Sequence, residues 1–213
     1  MSKNWILNEN FNRASLDKML DWRCEPNKWF LDKKSSQLVL ETDQETDYWQ
    51  KTHYDFQADN GHFLYMETDK NFRITTRVET FPKSKYDQAG LMIRFSEDIW
   101  VKTSLEYIPD GLSKLGAVVT NRGYSDWSTQ YVDYETVHLY YRISKIGQNC
   151  YVDFSLDGEV WNQIRIAHLD VPEKNSTFLA GVYACSPQGK EQEVRFDFIT
   201  IEELDNDPAS AYL

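Results

Sequence analysis

Gln88-Ala-Gly-Leu-Met-Ile-Arg-Phe-Ser96, followed by Ile99-Trp-Val-Lys-Thr-Ser-Leu-Glu106, is the stretch whose reading decides the fold. Core-type residues recur at every second position, Leu91, Ile93 and Phe95 in the first run and Val101, Thr103 and Leu105 in the second. Side chains two apart on a strand point to the same face, about 6.6 Å from each other. Such alternation marks half-buried antiparallel strands. Joined as a hairpin through Ser96 to Ile99, the two runs would place Gly90, Met92 and Arg94 on one surface with Trp100, Lys102, Ser104 and Glu106. Gly90 would leave room there for a ligand to approach the backbone.

The same period extends outward. Phe72, Ile74, Thr76 and Val78 alternate with polar residues, and further strand-like runs occupy Leu115 to Thr120, His138 to Ile143, Tyr151 to Leu156, Phe178 to Ala184 and Val194 to Ile201. Turn signals separate them at Asn60-Gly61, Pro109-Asp110-Gly111, Arg122-Gly123, Gly147, Asp157-Gly158 and Pro187-Gln188-Gly189. Helical periodicity is confined to a short turn expected near Ser15 to Leu20, with Ser15 as N-cap. Closely spaced strands without intervening helices make a two-layer sandwich or jelly roll. The expectation is one all-β domain of two antiparallel sheets over residues 1–204, followed by a flexible C-terminal tail over residues 205–213.

At 213 residues the chain is long enough to bury a substantial core without covalent staples. Cys24, Cys150 and Cys185 are widely separated and form no C-x-x-C pair, so they read as buried free thiols rather than a disulfide framework or zinc site. The net charge of −11 repels phosphate backbones and anionic lipid, which argues against nucleic acid and membrane partners. The first ten residues lack an apolar signal region, and no run approaches the roughly 18 apolar residues of a membrane span. A cytoplasmic protein is therefore expected.

Aromatic residues make up 15% of the chain, enough to furnish a stacking surface as well as a core. Two segments look suited to rim a site. Thr46-Asp-Tyr-Trp-Gln-Lys-Thr-His-Tyr54 combines a carboxylate, three aromatics and a histidine, and Asn121-Arg-Gly-Tyr-Ser-Asp-Trp-Ser128 reads as a loop rich in rings, donors and acceptors. Rings flanked by planar polar side chains suit a saccharide, whose C–H face stacks while its hydroxyls are paired. The plainer alternative is a solvated sheet face bearing a few ion pairs.

The order and spacing of these segments, with Asp59-Asn-Gly-His62, Tyr86 to Arg94, Trp100-Val-Lys102, Val118 to Ser128, Ser155 to Trp161 and Ala184 to Gly189, resemble a family of concanavalin A-like domains of unknown function. That family includes the fungal regulation-of-enolase protein. The resemblance runs from about Trp5 to Glu202 and is shared with the accessory sandwich domain of some β-xylosidases, where a G-L-M-x-R strand precedes a W-x-K strand. It implies a concanavalin A-like jelly-roll sandwich whose concave sheet holds any ligand, and it supplies no activity. Carried over as groove residues are Arg94, Lys102, Glu106, Asn121 and Trp127, with Trp49 and His53 as rim.

A sandwich glycosidase needs two carboxylates, about 5–5.5 Å apart if retaining and about 6.5–9.5 Å if inverting. The strand motif E-x-D-x-x-E is absent, and Ser104 and Ile108 flank Glu106 at the positions where a partner would stand. Asp47, Asp87 or Asp126 would have to approach from loops. No catalytic residue, metal ligand or cofactor is assigned. Glu41, Asp43, Glu45 and Asp47 alternate as if on one strand face, but they lack the glycine and spacing of a calcium loop. The leading expectation is a non-catalytic, carbohydrate-binding-like protein that regulates sugar metabolism. The alternatives are a glycosidase using Glu106 with a loop aspartate, and an adaptor that docks a metabolic enzyme as its protein partner.

Overall fold

Gln88–Ser96 and Ile99–Glu106 pair antiparallel, with Trp100 opposite Arg94, Lys102 opposite Met92, Ser104 opposite Gly90 and Glu106 opposite Gln88. This computed structural model describes residues 4–132, 138–172 and 176–212. The quoted hairpin lies at the centre of a front sheet. Its strands run in the spatial order Tyr124–Val132, Ser113–Asn121, Ile99–Glu106, Gln88–Ser96, Phe178–Cys185, His62–Thr68 and Asp21–Arg23.

The back sheet runs Asn162–His168, Asn149–Ser155, His138–Ile146, Phe72–Phe81, Glu193–Glu203, Gln37–Glu41 and Lys28–Asp32, and Trp5–Glu9 also pairs with Glu193–Glu203. The architecture is an antiparallel jelly-roll sandwich. Leu91, Ile93 and Val101 from the front sheet meet Ile74, Val78, Ile143, Val152, Phe196 and Ile199 from the back sheet in one buried cluster. The period-two pattern of the central strands therefore sorts the side chains as expected, one face into the core and one outward.

The departures from expectation have local causes. Asn121 to Ser128 is a hairpin rather than a loop: Arg122 and Gly123 both adopt positive φ, 51° and 74°, as a two-residue hairpin turn requires, and Tyr124–Val132 follows as an edge strand. Its alternation was hard to read because an edge strand is polar on much of both faces. Gly90 serves the sheet rather than a ligand, since a Cβ there would stand 2.0 Å from the Thr103 carbonyl oxygen. Cys150 and Cys185 are buried free thiols, whereas Cys24 is exposed. Residues 205–212, read as a tail, include the 3-10 turn Pro208–Tyr212, with Ala211 buried and the Ser210 carbonyl accepting a hydrogen bond from Arg73 at 2.6 Å.

No helix forms between Ser15 and Leu20. The segment is organised instead by Glu9, fully buried on the first strand, whose carboxylate accepts the backbone N–H of Phe11 at 2.7 Å and of Asp17 at 2.9 Å. Arg13 pairs with the same carboxylate and with Asp17. Leu16 and Leu20 are thereby laid against the core without a helix to carry them. Glu9→Ala removes the acceptor from two backbone donors, one of them buried, and should destabilise the fold by about 3 kcal/mol. Urea unfolding checks this, and a loss below about 1 kcal/mol would show that Glu9 does not organise the segment.

Candidate functional site

The outer face of the front sheet is divided in two. One half is covered by a small hairpin, Tyr48–Gln50 paired with Gln57–Asp59. Tyr48 inserts edge-on against Trp100 and Tyr183, with ring centroids 6.3 and 6.2 Å away, and its hydroxyl donates to the Gly61 carbonyl at 2.6 Å. Trp49, Phe63, Met92, Val118 and Cys185 complete this second apolar cluster. Asp59, on the same hairpin, accepts both terminal nitrogens of Arg94 at 2.5 and 2.8 Å, and Arg23 joins it at 2.7 Å. Arg94 is 4% exposed. Its guanidinium is thus committed to holding the covering hairpin on the sheet and does not line the cleft beside it.

The uncovered half is a cleft of about 690 Å³. Its floor comes from the quoted hairpin: Lys102, 2% exposed, donates to Gln88 Oε1 at 2.8 Å and stands 3.5 Å from Asp47, and Glu106 lies two face positions further along the strand, beyond Ser104. Trp49 and Trp127 form walls, with Tyr54, Phe56 and Tyr86 contributed by loops. Tyr54 bridges the rings, 5.5 Å from Trp49 and 6.2 Å from Phe56, and both Tyr54 and Phe56 are largely exposed. Lys114, opposite Glu106 on the neighbouring strand, rests over the Trp127 ring at 5.0 Å.

Of the residues expected here, Lys102, Glu106, Trp49 and Trp127 converge on the cleft. His53 belongs to its rim only through its contact with Tyr54, 4.8 Å between centroids. Asn121 lies elsewhere: its amide donates to the His168 carbonyl and accepts from the Asp170 N–H, both at 2.8 Å, tying the edges of the two sheets together. Missed by residue-by-residue reading were Gln88, Tyr86, Phe56 and Gln188, which topology alone brings to the cleft.

The three aspartates expected to approach from loops are separated by their partners, and Asp126 stands on the edge strand. Asp87 is buried and accepts the N–H groups of Lys83 and Ser84 together with the Ser186 hydroxyl, and Asp126 pairs with Arg165 at the sandwich edge. Asp47 alone of the three lines the cleft. The acidic series does not share a strand face, because the strand ends at Glu41, which pairs with Lys28, while Asp43 accepts from Asn27. Among the described residues, no group of three or more His, Cys, Asp or Glu side chains is arranged to hold a metal.

Glu106 is 7% exposed, and its carboxyl makes no hydrogen bond with the described residues. Burial pushes its pKa from an ordinary 4.5 up to about 7; Lys102 opposes the rise, Asp47 adds to it and Lys114 opposes it. The backbone around this cleft is also unusual. Glu45, Lys51, His53, Asp55 and Tyr86 all hold φ between 52° and 68°, a region costly for residues with a side chain.

The fold is thus a concanavalin A-like jelly-roll sandwich with an aromatic-walled cleft on the outer face of one sheet. The model of the family described as "Protein of unknown function (DUF1349)" matches residues 22–204, and this chain belongs to that family. It is 34% identical over 175 residues to "Regulation of enolase protein 1" of Saccharomyces cerevisiae, covering 82% of this chain and 85% of the relative. The crystal structure of a functionally unknown protein from Saccharomyces cerevisiae superposes with a TM-score of 0.80 at 32% identity, over 88% of this chain and 97% of the other. The GH43 protein BlXynB of Bacillus licheniformis shares the fold at a TM-score of 0.72 and 16% identity, over 92% of this chain and 39% of that larger one.

Two outcomes follow from the geometry. Arg94→Ala leaves Asp59 with Arg23 as its remaining partner and unpins the covering hairpin, so chemical denaturation should record a loss of about 3 kcal/mol; a loss under 1 kcal/mol would make the fork dispensable. Glu106 holds a proton in the folded chain between pH 4.5 and about 7 that the unfolded chain has released. Its stabilising contribution is complete below pH 4.5 and is lost as pH rises through 7. Glu106→Gln should therefore match the wild type near pH 4.5 and exceed it by about 3 kcal/mol at pH 8. Equal stability curves across that range would mean the carboxyl titrates normally.

Proposed function

We propose that this chain is a non-catalytic binding protein for a saccharide or sugar-derived ligand, acting in the cytoplasm in the regulation of sugar metabolism. The observation that carries the reading is the cleft itself, with Trp49, Tyr54, Phe56, Tyr86 and Trp127 as walls above a floor of Gln88, Lys102 and Glu106. Ring faces stack on the C–H face of a sugar while the floor pairs with its hydroxyls. The acidic surface disfavours nucleic acid and anionic membrane, and no helix among the described residues is long and apolar enough to cross a membrane. The name of the yeast relative supports the regulatory part of the reading.

Asp47 favours a second reading, as a glycosidase, because it lines the cleft and raises the proton affinity of Glu106. Against it, Asp47 is already engaged: it accepts the Tyr48 N–H at 2.8 Å and faces Lys102 at 3.5 Å. A lysine beside it already faces one of the carboxylate oxygens that would serve as nucleophile or base.

A glycan array followed by titration of the strongest hit decides between these readings. Trp127→Ala should weaken binding about tenfold while the circular dichroism spectrum keeps its β signature. Turnover of a glycoside by the wild type, abolished in Glu106→Gln, would replace the binding reading with the enzymatic one. Capture of a metabolic enzyme that depends on Trp127, with no glycan retained, would replace it with the adaptor reading.

A further inference from the structure

We propose that the saccharide taken by this cleft is an amino sugar whose ammonium group pairs with Glu106, an inference that rests on the saccharide reading above. Its starting point is an imbalance. Among the described residues, three carboxylates, Glu45, Asp47 and Glu106, line the cleft against one cation, Lys102. Lys102 is already satisfied by Gln88 and Asp47, and it lies near the Trp100 and Tyr183 rings at 6.0 and 5.5 Å. Asp47 in turn holds Lys102 and the Tyr48 N–H. Glu106 has neither a hydrogen bond nor an ion pair among the described residues, although it is more than nine-tenths buried and lines the cleft.

A buried carboxyl without a partner is costly unless something supplies one. A sugar phosphate or uronic acid would bring further negative charge against Glu45, Asp47 and Glu106 and find the lysine engaged, so anionic sugars are disfavoured. A neutral sugar can offer a hydroxyl, which meets the hydrogen-bond deficit and leaves the charge imbalance. An ammonium meets both through a charge-assisted hydrogen bond. The aromatic walls are compatible, since ring faces attract cations as well as C–H groups.

Proton linkage gives this pairing a signature. The groups facing Glu106 are Lys102 on its own strand, Lys114 on the Ser113–Asn121 strand, Asp47 ahead of the covering hairpin, and Tyr183 and Cys185 on the Phe178–Cys185 strand. Burial raises the pKa of both Tyr183 and Cys185, which stay uncharged near neutral pH. Burial brings the protonation change of Glu106 to about pH 7. An arriving ammonium stabilises the carboxylate and drives its proton off.

The test is isothermal titration calorimetry on the whole chain at pH 6.5, in two buffers of different ionisation enthalpy. The probes are glucosamine disaccharide and trisaccharide, their N-acetylated forms, the matching glucose oligomers and glucose 6-phosphate. The glucosamine oligomers should bind about tenfold tighter than the neutral forms and release a proton, and the phosphate should bind weakest. Glu106→Gln should lose both the preference for the glucosamine oligomers over the neutral ones and the proton release. Neutral or phosphorylated sugars binding wild type as tightly as the glucosamine oligomers would overturn the inference and leave the saccharide reading standing. A preference that survives in Glu106→Gln would overturn it as well. No binding by any of the probes would remove the saccharide reading and the inference with it.

Discussion

The fork between Arg94 and Asp59 divides the outer face of the front sheet into a sealed half and an open one. Arg94 stands on a central strand and Asp59 on the hairpin that lies over it, and two charge-assisted hydrogen bonds fix one to the other. Once the hairpin is held there, Tyr48 has a pocket among Trp100, Tyr183 and Phe63, and Trp49 turns toward the adjoining cleft. The contribution of the fork is therefore geometric more than energetic. A buried ion pair adds little net stability over a well-packed apolar substitute, but its loss leaves charges stranded and the cover free to move.

The same economy of partners explains the two charged residues that the hairpin points into the open half. Lys102 and Glu106 sit on one strand face, yet they do not neutralise each other directly. The lysine is drawn to Gln88 and Asp47, which leaves the glutamate, facing the cleft, without a hydrogen bond or ion pair among the described residues. Interiors seldom tolerate such a group without a reason. Where it lines a cavity with aromatic walls, ligand recognition is the simplest reason, and it also accounts for the raised proton affinity without invoking catalysis.

How much of this was legible in the sequence depends on the range of the interaction that decides each residue. Alternation is local, so the faces of Gln88–Ser96 and Ile99–Glu106, and with them Lys102 and Glu106 as outward charges, could be read directly. The resemblance to a known family extended that reading to the sandwich. Arg94 shares the face but is taken up by Asp59 beside the cleft, a partner 35 positions away in a three-residue strand too short to show a period. Asn121 is placed by contacts just as distant: its partners are His168, at the end of a back-sheet strand, and Asp170 just beyond it. No local pattern announces either contact.

The cleft thus combines two kinds of construction. Lys102 and Glu106 stand on a central strand, whose backbone is fixed by hydrogen bonds on both sides. Several of its rings stand on loops, and the loop from Lys51 to Asp55 carries three residues in left-handed conformations at alternate positions, next to Tyr54 and Phe56. Backbone held in such regions persists only where the surroundings enforce it, and it tends to gather where a surface has work beyond folding. A rigid floor can discriminate charge sharply because its groups cannot move to accommodate a wrong partner, whereas exposed rings on loops can adjust to ligands of differing outline. Selectivity in this cleft should accordingly reside in Glu106 and Lys102, and tolerance in Tyr54 and Phe56.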